Sequence, residues 1–263
     1  GGAPVCGIGT AGTTNTGATD DLKALAALCR REGLRFHVDG CIGAFLKIAP
    51  ENRALVAGIE LADSVALDPH KWLHTPFEAG CVLVRDADRH FEAFEMHGEY
   101  LQLQTRGMIA GKFLADYGLE LSRGFKALKI WMSLKENGAP KLGRLIDQNI
   151  AQARHLEGLI AAEPRLKLVA PVDLNIVCFR YAGGLKDEVA LKEVNTEIML
   201  RIQESGFAIL SDTTVAGRHC LRVAINNHRT TRQDLSVLLS EVLRTGAGVA
   251  HERARSAATV STA

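Results

Sequence analysis

Two stretches decide the fold: Leu34-Arg35-Phe36-His37-Val38-Asp39-Gly40 and Ser64-Val65-Ala66-Leu67-Asp68-Pro69-His70-Lys71-Trp72. Each is a short, mainly apolar run that ends in polar residues, the pattern of a strand buried in a sheet that delivers chemistry at its carboxyl end. Leu34 to Val38 delivers Asp39, and Ser64 to Leu67 delivers Asp68-Pro69-His70-Lys71. Strands that alternate with helical stretches predict an α/β sheet, in which ligands bind in the crevice beyond the strands' carboxyl ends. Asp39 and Lys71 both fall where that rule points.

Upstream, a strand is expected around Val5, followed by a Gly/Thr-rich loop from Gly7 to Gly17. Asp20 or Asp21 then caps a helix with apolar positions Leu22, Leu25, Ala26 and Cys29, closed by Gly33. Downstream, Gly80 to Val84 is a third apolar run, and poor periodicity from Arg89 to Asp116 predicts a long loop. Ser122 to Glu136 is helical in pattern, and Lys141 to Ala162 repeats apolar residues at Leu142, Leu145, Ile146, Ile150, Ala153, Leu156 and Ile160 until Pro164 stops it. Leu174 to Tyr181 reads as a strand, Asp187 to Ser205 as a helix closed by Gly206, and His219 to Ile225 as another strand. A last helix opens at Thr230-Thr231, with Gln233 and Asp234 placed for a capping box, and runs to about Arg244. This order predicts a smaller α+β domain. Gly246 to Ala263, rich in Ala, Ser and Thr, is expected to fray.

Composition narrows the function. The chain has 263 residues, 47% of them hydrophobic, enough to bury a sizeable core. Lys and Arg total 31 against 30 Asp and Glu, so there is no electrostatic footprint for nucleic acid or an anionic membrane. A small ligand is expected. No apolar run approaches the ~18 residues of a membrane span, and the start lacks the pattern of a secretory signal. The scattered cysteines Cys6, Cys29, Cys41, Cys81, Cys178 and Cys220 form no metal-site spacing and read as reduced thiols of a cytoplasmic protein.

Two motifs fail on context, and a third is absent. Gly7-Ile8-Gly9-Thr10-Ala11-Gly12 spells the dinucleotide fingerprint, but the helix opens only near Asp20, and two carboxylates at its N-terminus would repel a pyrophosphate. His70 and His74 have the spacing of a zinc pair without the accompanying Glu or a third ligand, so no metal is expected. No G-x-S-x-G elbow occurs, and the remaining histidines are read as surface residues.

The informative pair is Asp39 and Lys71. An acid at the end of an apolar strand costs several kcal/mol of desolvation unless a cation or hydrogen bonds meet it. Burial likewise disfavours an ammonium and frees the amine to attack a carbonyl, which makes Lys71 a Schiff-base candidate. The plainer alternative is an ion pair between Asp39 and Lys71 at neighbouring strand ends. One cofactor explains both residues: pyridoxal 5'-phosphate (PLP) needs a lysine for its aldehyde and an anion beside its pyridine nitrogen. His70, next to the lysine, suits the phosphate or a substrate carboxylate.

These residues resemble a known family, the PLP-dependent group II amino-acid decarboxylases, which include aromatic-L-amino-acid, tyrosine, histidine and glutamate decarboxylases. The resemblance rests on Gly12-Thr13-Thr14-Asn15-Thr16-Gly17-Ala18-Thr19-Asp20-Asp21-Leu22, His37-Val38-Asp39-Gly40, Ala62-Asp63-Ser64 with Asp68-Pro69-His70-Lys71-Trp72, and Leu121-Ser122-Arg123-Gly124-Phe125-Lys126-Ala127-Leu128-Lys129. Asn175-Ile176-Val177-Cys178-Phe179-Arg180 and Leu221-Arg222-Val223 continue it in family order. It implies that Lys71 forms the Schiff base, Asp39 pairs with the pyridinium nitrogen, His70 lies near the phosphate, and Thr13 lines the cofactor site. Tyr100 matches the tyrosine of the family's catalytic loop, which returns a proton after carbon dioxide leaves, with His70 as the competing donor. A Phe there is associated with aldehyde-forming relatives, so Tyr100 favours plain decarboxylation.

The resemblance implies a fold-type-I PLP-dependent transferase architecture of class α/β. Residues 1–128 would form the C-terminal half of the large, mainly parallel-sheet domain, residues 129–246 the small C-terminal α+β domain, and 247–263 a disordered tail. Cys41 stands where many relatives carry a small residue against one face of the pyridine ring. The family's N-terminal portion is absent, so the chain reads as a truncated member whose full-length form is a cytoplasmic homodimer. The expected reaction is decarboxylation of an L-amino acid, aromatic by preference. The alternatives are another PLP enzyme, such as an aldehyde synthase or aminotransferase, and a non-catalytic fragment that binds a partner.

Overall fold

The structure is a computed structural model that describes residues 2–95, 105–107 and 110–261, without the side chains of 256–261. The chain divides into two compact units, one of residues 1–9, 21–44 and 57–138, the other of residues 10–20, 45–56 and 139–263.

The first unit is built on a four-stranded sheet in the order β1-β2-β3-β4, with β1 at Cys6–Thr10, β2 at Arg35–Asp39, β3 at Ser64–Leu67 and β4 at Cys81–Val84. Between β1 and β2 runs α1, Leu22–Arg31. Asp21 caps it by accepting from Ala24 N at 3.0 Å, Arg30 and Arg31 sit in its last turn where the helix dipole favours cations, and Leu22, Ala26 and Cys29 are buried. Gly7 makes that packing possible, because a Cβ there would stand 2.4 Å from the Cys29 sulfur. The glycine run that mimics a dinucleotide fingerprint thus seats a helix on a strand.

β2 and β3 run parallel, with Val38 opposite Val65 and Asp39 opposite Ala66, while β4 returns antiparallel to β3. Asp63 pins the register at the start of β3: its carboxylate accepts from Phe36 N, its own N–H donates to Phe36 O, and its carbonyl accepts from Arg85 N, each within 2.8 to 2.9 Å. At the other end Gly40 N donates to Ala66 O and Asp68 N to Cys41 O, both at 3.0 Å. The expected strand positions are therefore observed, but as a mixed sheet whose β4 is antiparallel. Short 3-10 turns, not an α-helix, connect β2 to β3. In the stretch expected to be loop, residues 87–94 form α2, Ala87–Phe94, capped by Asp86 accepting from Arg89 N at 3.0 Å. A single helical turn pair is too short to show a period.

The second unit packs α4 (Ala139–Ala161), α5 (Glu188–Glu204) and α6 (Arg232–Ser261) on one face of an antiparallel sheet ordered β5-β6-β8-β7. Its strands are β5 Leu166–Leu168, β6 Ile176–Tyr181, β7 Ser211–Val215 and β8 Arg218–Ala224. The apolar stripe expected on α4 is the buried one, and Leu156 and Ile160 join Val177, Phe179, Ile198, Leu221 and Val242 in the core. Asp187 caps α5 through Ala190 N at 2.8 Å, and Thr231 and Asp234 exchange the bonds of a capping box at the start of α6. β5 and β7 escape sequence reading, since Leu-Lys-Leu is too short for a period and Ser-Asp-Thr-Thr-Val is a polar edge strand.

The tail expected to fray instead continues α6 to Ser261. Packing accounts for it: Gly246 lies against the Tyr181 ring, Val249 is buried, and Arg201 holds Glu252 while Arg253 reaches Glu193. The domain limit also differs from the expected 128/129, because α3 (Lys126–Asn137) belongs to the first unit, which ends at Gly138. Among the described residues no helix is long and apolar enough to cross a membrane.

Gly143 on α4 passes so close to the 45–56 segment that an added Cβ would lie 1.9 Å from Ile48 O. Gly143→Ala should therefore lower the free energy of unfolding by about 3 kcal/mol, the upper range for overpacking a close contact. Urea denaturation of the two proteins checks this, and coincident transitions would show that the contact can yield.

Candidate active site

The β2–β3 pairing carries Asp39 and the Asp68–Lys71 turn to the same end of adjacent parallel strands. The turn itself is tight: Lys71 N donates to Asp68 O at 2.9 Å and His74 N to Lys71 O at 3.1 Å, with His74 in the left-handed region at φ 51°. Trp72 and Leu73 anchor it, buried at 0% and 5% exposure. Ser133 on α3 adds a hydrogen bond to Leu73 O at 3.0 Å.

The sequence alternative of an Asp39–Lys71 ion pair is not what forms. Lys71 Nζ lies 2.9 Å from Asp68 Oδ2, and its side chain keeps about a third of its surface exposed. Asp39 is itself exposed, so it bears only part of the burial cost expected of an acid ending an apolar strand. Its carboxyl is held below the usual carboxylate range chiefly by hydrogen bonding from the Cys41 side chain, with partial burial opposing, and by the Cys41 N–H at 3.3 Å; Lys71 adds only a weak Coulombic attraction. A lowered folded value means that this carboxylate stabilises the fold above its ordinary pKa of about 3.9 and loses that contribution as the pH falls through the lower one.

Cys41 answers in the opposite sense. Burial first, then its hydrogen bond to Asp39 and the charges of Asp39 and Asp68, push its thiol up to about 12. It is a proton-holding neighbour of Asp39 and a poor nucleophile.

His70 is fixed from both sides. Nδ1 lies 2.8 Å from Ala79 O and 3.2 Å from Ala79 N, and the shorter contact makes Nδ1–H a donor to the carbonyl. Phe77 meets the ring edge-on at 4.9 Å between centroids. This leaves Nε2 directed to the polar side, 3.9 Å from Asp68 Oδ2. Asp68 thus faces both Lys71 and His70, a role the sequence reading did not assign. The signal was present as an acid three residues before the lysine on a tight turn.

Thr13 belongs to the second unit, in a loop where its hydroxyl accepts from Ala18 N and meets Thr16 Oγ1, each at 3.0 Å. Tyr100 lies outside the described residues. Of the histidines expected at the surface, His219 is instead buried at 7% exposure against Thr196, and burial lowers its pKa. Among the described residues no group of His, Cys, Asp and Glu is arranged to hold a metal.

A lysine and an exposed, ionised aspartate at adjacent parallel strand ends define the class: the chain belongs to the pyridoxal-dependent decarboxylase family, whose conserved domain matches residues 1–182. It is 36% identical over 240 residues to an aromatic-L-amino-acid decarboxylase of Bacillus atrophaeus, covering 91% of this chain and 50% of that protein. It is 31% identical over 221 residues to a phenylacetaldehyde synthase of Petunia hybrida, covering 81% and 44%. The structure of Oryza sativa TDC with PLP and tryptamine superposes with a TM-score of 0.85 at 30% identity, over 93% of this chain and 51% of that one. The fold is accordingly the fold-type-I arrangement of such decarboxylases. The chain spans about half the length of the curated relatives it matches.

Because its thiol is pushed up to about 12, Cys41 should be alkylated by iodoacetamide at a rate that climbs with pH to 11 and beyond, whereas an ordinary thiol levels off above about 8.5. Asp39→Asn should raise the rate at pH 8 by roughly tenfold, the effect of one pKa unit. Peptide-resolved mass spectrometry reads this; a rate already level by pH 9 contradicts the Asp39–Cys41 coupling.

Proposed function

We propose that this chain carries the lysine-bearing half of a PLP-dependent amino-acid decarboxylase whose whole form converts an aromatic L-amino acid to its amine and carbon dioxide. One observation carries the reading: Asp39 and the Asp68–Lys71 turn stand at the carboxyl ends of adjacent parallel strands, where α/β sheets bind ligands. The relatives named for aromatic amino acids support the substrate class.

The donor set fits PLP. Lys71 offers a half-buried amine paired to the Asp68 carboxylate, and Asp39 offers an exposed carboxylate whose ionised form is favoured. Lys71 would hold the cofactor's aldehyde and Asp39 its protonated ring nitrogen. PLP supplies, when bound, the electron sink that lets the bond to the substrate's α-carboxylate break.

The chain's own residues then have defined tasks. Hydrogen bonding from Cys41 to the ionised form of Asp39 lowers its pKa and so reinforces its negative charge. Asp68 holds the Lys71 ammonium at 2.9 Å, so the amine stays placed when it is not engaged. His70, locked at Nδ1, presents Nε2 to an anion or to a proton in transit. Cys41 would neighbour the ring, and Thr13 would line the cofactor site. Tyr100 would return the proton to the α-carbon, with His70 as the competing donor. The whole enzyme is read as a cytoplasmic homodimer on the family resemblance.

Adding PLP to the protein should give the long-wavelength absorption band of a lysine-bound cofactor, absent from Lys71→Ala. A band that persists in that variant sinks the assignment of Lys71. With aromatic amino acids as substrates of the whole enzyme, mass spectrometry should find amine and carbon dioxide in equal amounts. An aldehyde product would move the protein to the aldehyde synthases.

A further inference from the structure

The Gly/Thr-rich loop at 10–20 and the motif Leu221-Arg222-Val223 are far apart in sequence, yet the second unit joins them. The loop closes on itself: Thr10 and Asp20 exchange bonds (Asp20 N to Thr10 O at 2.9 Å, Thr10 N to Asp20 Oδ2 at 2.8 Å), Ala11 bridges Thr19, and Thr13 N donates to Ala18 O at 2.9 Å. Gly17 turns it at φ 77°, with Leu174 close enough that an added Cβ would touch it at 3.4 Å.

This closed loop is held to the sheet face opposite the helices. Arg222 on β8 donates from Nη2 to Thr14 O at 2.6 Å and from Nε to Thr14 O at 2.9 Å and to Asn15 O at 3.3 Å. Its remaining Nη1 is tied to Ser211 Oγ on β7 at 3.2 Å, so the guanidinium plane is fixed before it meets the loop. Cys178, opposite Arg222 on β6, adds a thiol bond to Asn15 O at 3.3 Å. A planar fork with charged donors on two successive carbonyls holds both position and tilt, which a lysine's single point charge does not.

We propose that Arg222 is a positioning residue for the cofactor-lining loop: by clamping the carbonyls of Thr14 and Asn15 it sets how the preceding residue, Thr13, is presented. The inference rests on the reading that Thr13 lines the PLP site. It assigns a task in cofactor binding to the C-terminal sheet, far along the chain from the lysine and aspartate.

The test uses the whole chain with Arg222→Ala and Arg222→Lys, Thr13→Ala, and the Thr13→Ala/Arg222→Ala double variant. Hydrogen exchange of the cofactor-free protein comes first. The amides of Thr13, Gly17 and Ala18 should exchange about tenfold faster in Arg222→Ala, as loss of charged hydrogen bonds implies, with those of β6 unchanged. Arg222→Lys should fall between, and guards against a misfolded alanine variant. PLP titration follows: both single variants should weaken binding by a similar factor, of order tenfold, and the double variant no further. Unchanged loop exchange overturns the clamp. A loosened loop with wild-type PLP affinity, while Thr13→Ala binds weakly, overturns the positioning role alone. Wild-type affinity in Thr13→Ala removes the reading beneath the proposal, and the proposal with it.

Discussion

The parallel pairing of β2 with β3 is the constraint on which the site depends. Asp63 pins it at one end with two bonds to Phe36, one from its carboxylate and one from its own N–H, and the Gly40–Ala66 and Cys41–Asp68 bonds pin it at the other. A one-residue slip would turn every side chain to the opposite face, and Asp39 would no longer share an edge with the Lys71 turn. The polar motif Ala62-Asp63-Ser64 is thus a structural device: it spends a carboxylate on the backbone N–H of Phe36 so that Asp39 and the Lys71 turn, a strand's length away, meet in register.

At that edge the charges are arranged in a sequence of dependence. Cys41, its acidity weakened first by burial and then by Asp39, hydrogen-bonds the ionised Asp39, and Asp68 gives its carboxylate to Lys71 with His70 close by. The buried Trp72 and Leu73 fix the turn that separates these polar groups. Apolar anchoring immediately beside Lys71 holds the backbone from which this half-buried side chain extends, so the turn keeps one place through packing rather than through further ion pairs.

Much of this was legible in the sequence because local rules and global fold agree. The caps at Asp21, Asp187 and Thr231, the α4 stripe and the strands ending at Asp39 and Leu67 all follow from period and punctuation. What escaped has physical causes. β5 and β7 are too short or too polar to show a period, and α6 runs past its Ala-rich stretch because ion pairs to α5 and the Tyr181 ring support it. The partner of Lys71 was misplaced because two acids stand near it, and spacing alone does not say which one the turn presents. Asp39 was expected to be buried because its strand is apolar, yet the strand's last residue lies at the open edge of the sheet.

The fork between Arg222 and Thr14 also has a temporal meaning. These partners are 208 positions apart in the chain. At synthesis rates of about 5–20 residues per second, the loop therefore waits on the order of 10–40 s for its clamp. During that interval the strands bearing Asp39 and Lys71 can already pair, since the Phe36–Asp63 bond that sets their register spans only 27 positions. The edge that carries Asp39 and Lys71 can be assembled early, whereas the loop at 10–20 gains its Arg222 bonds only when the last sheet closes, so a nascent chain holds the one before it fixes the other.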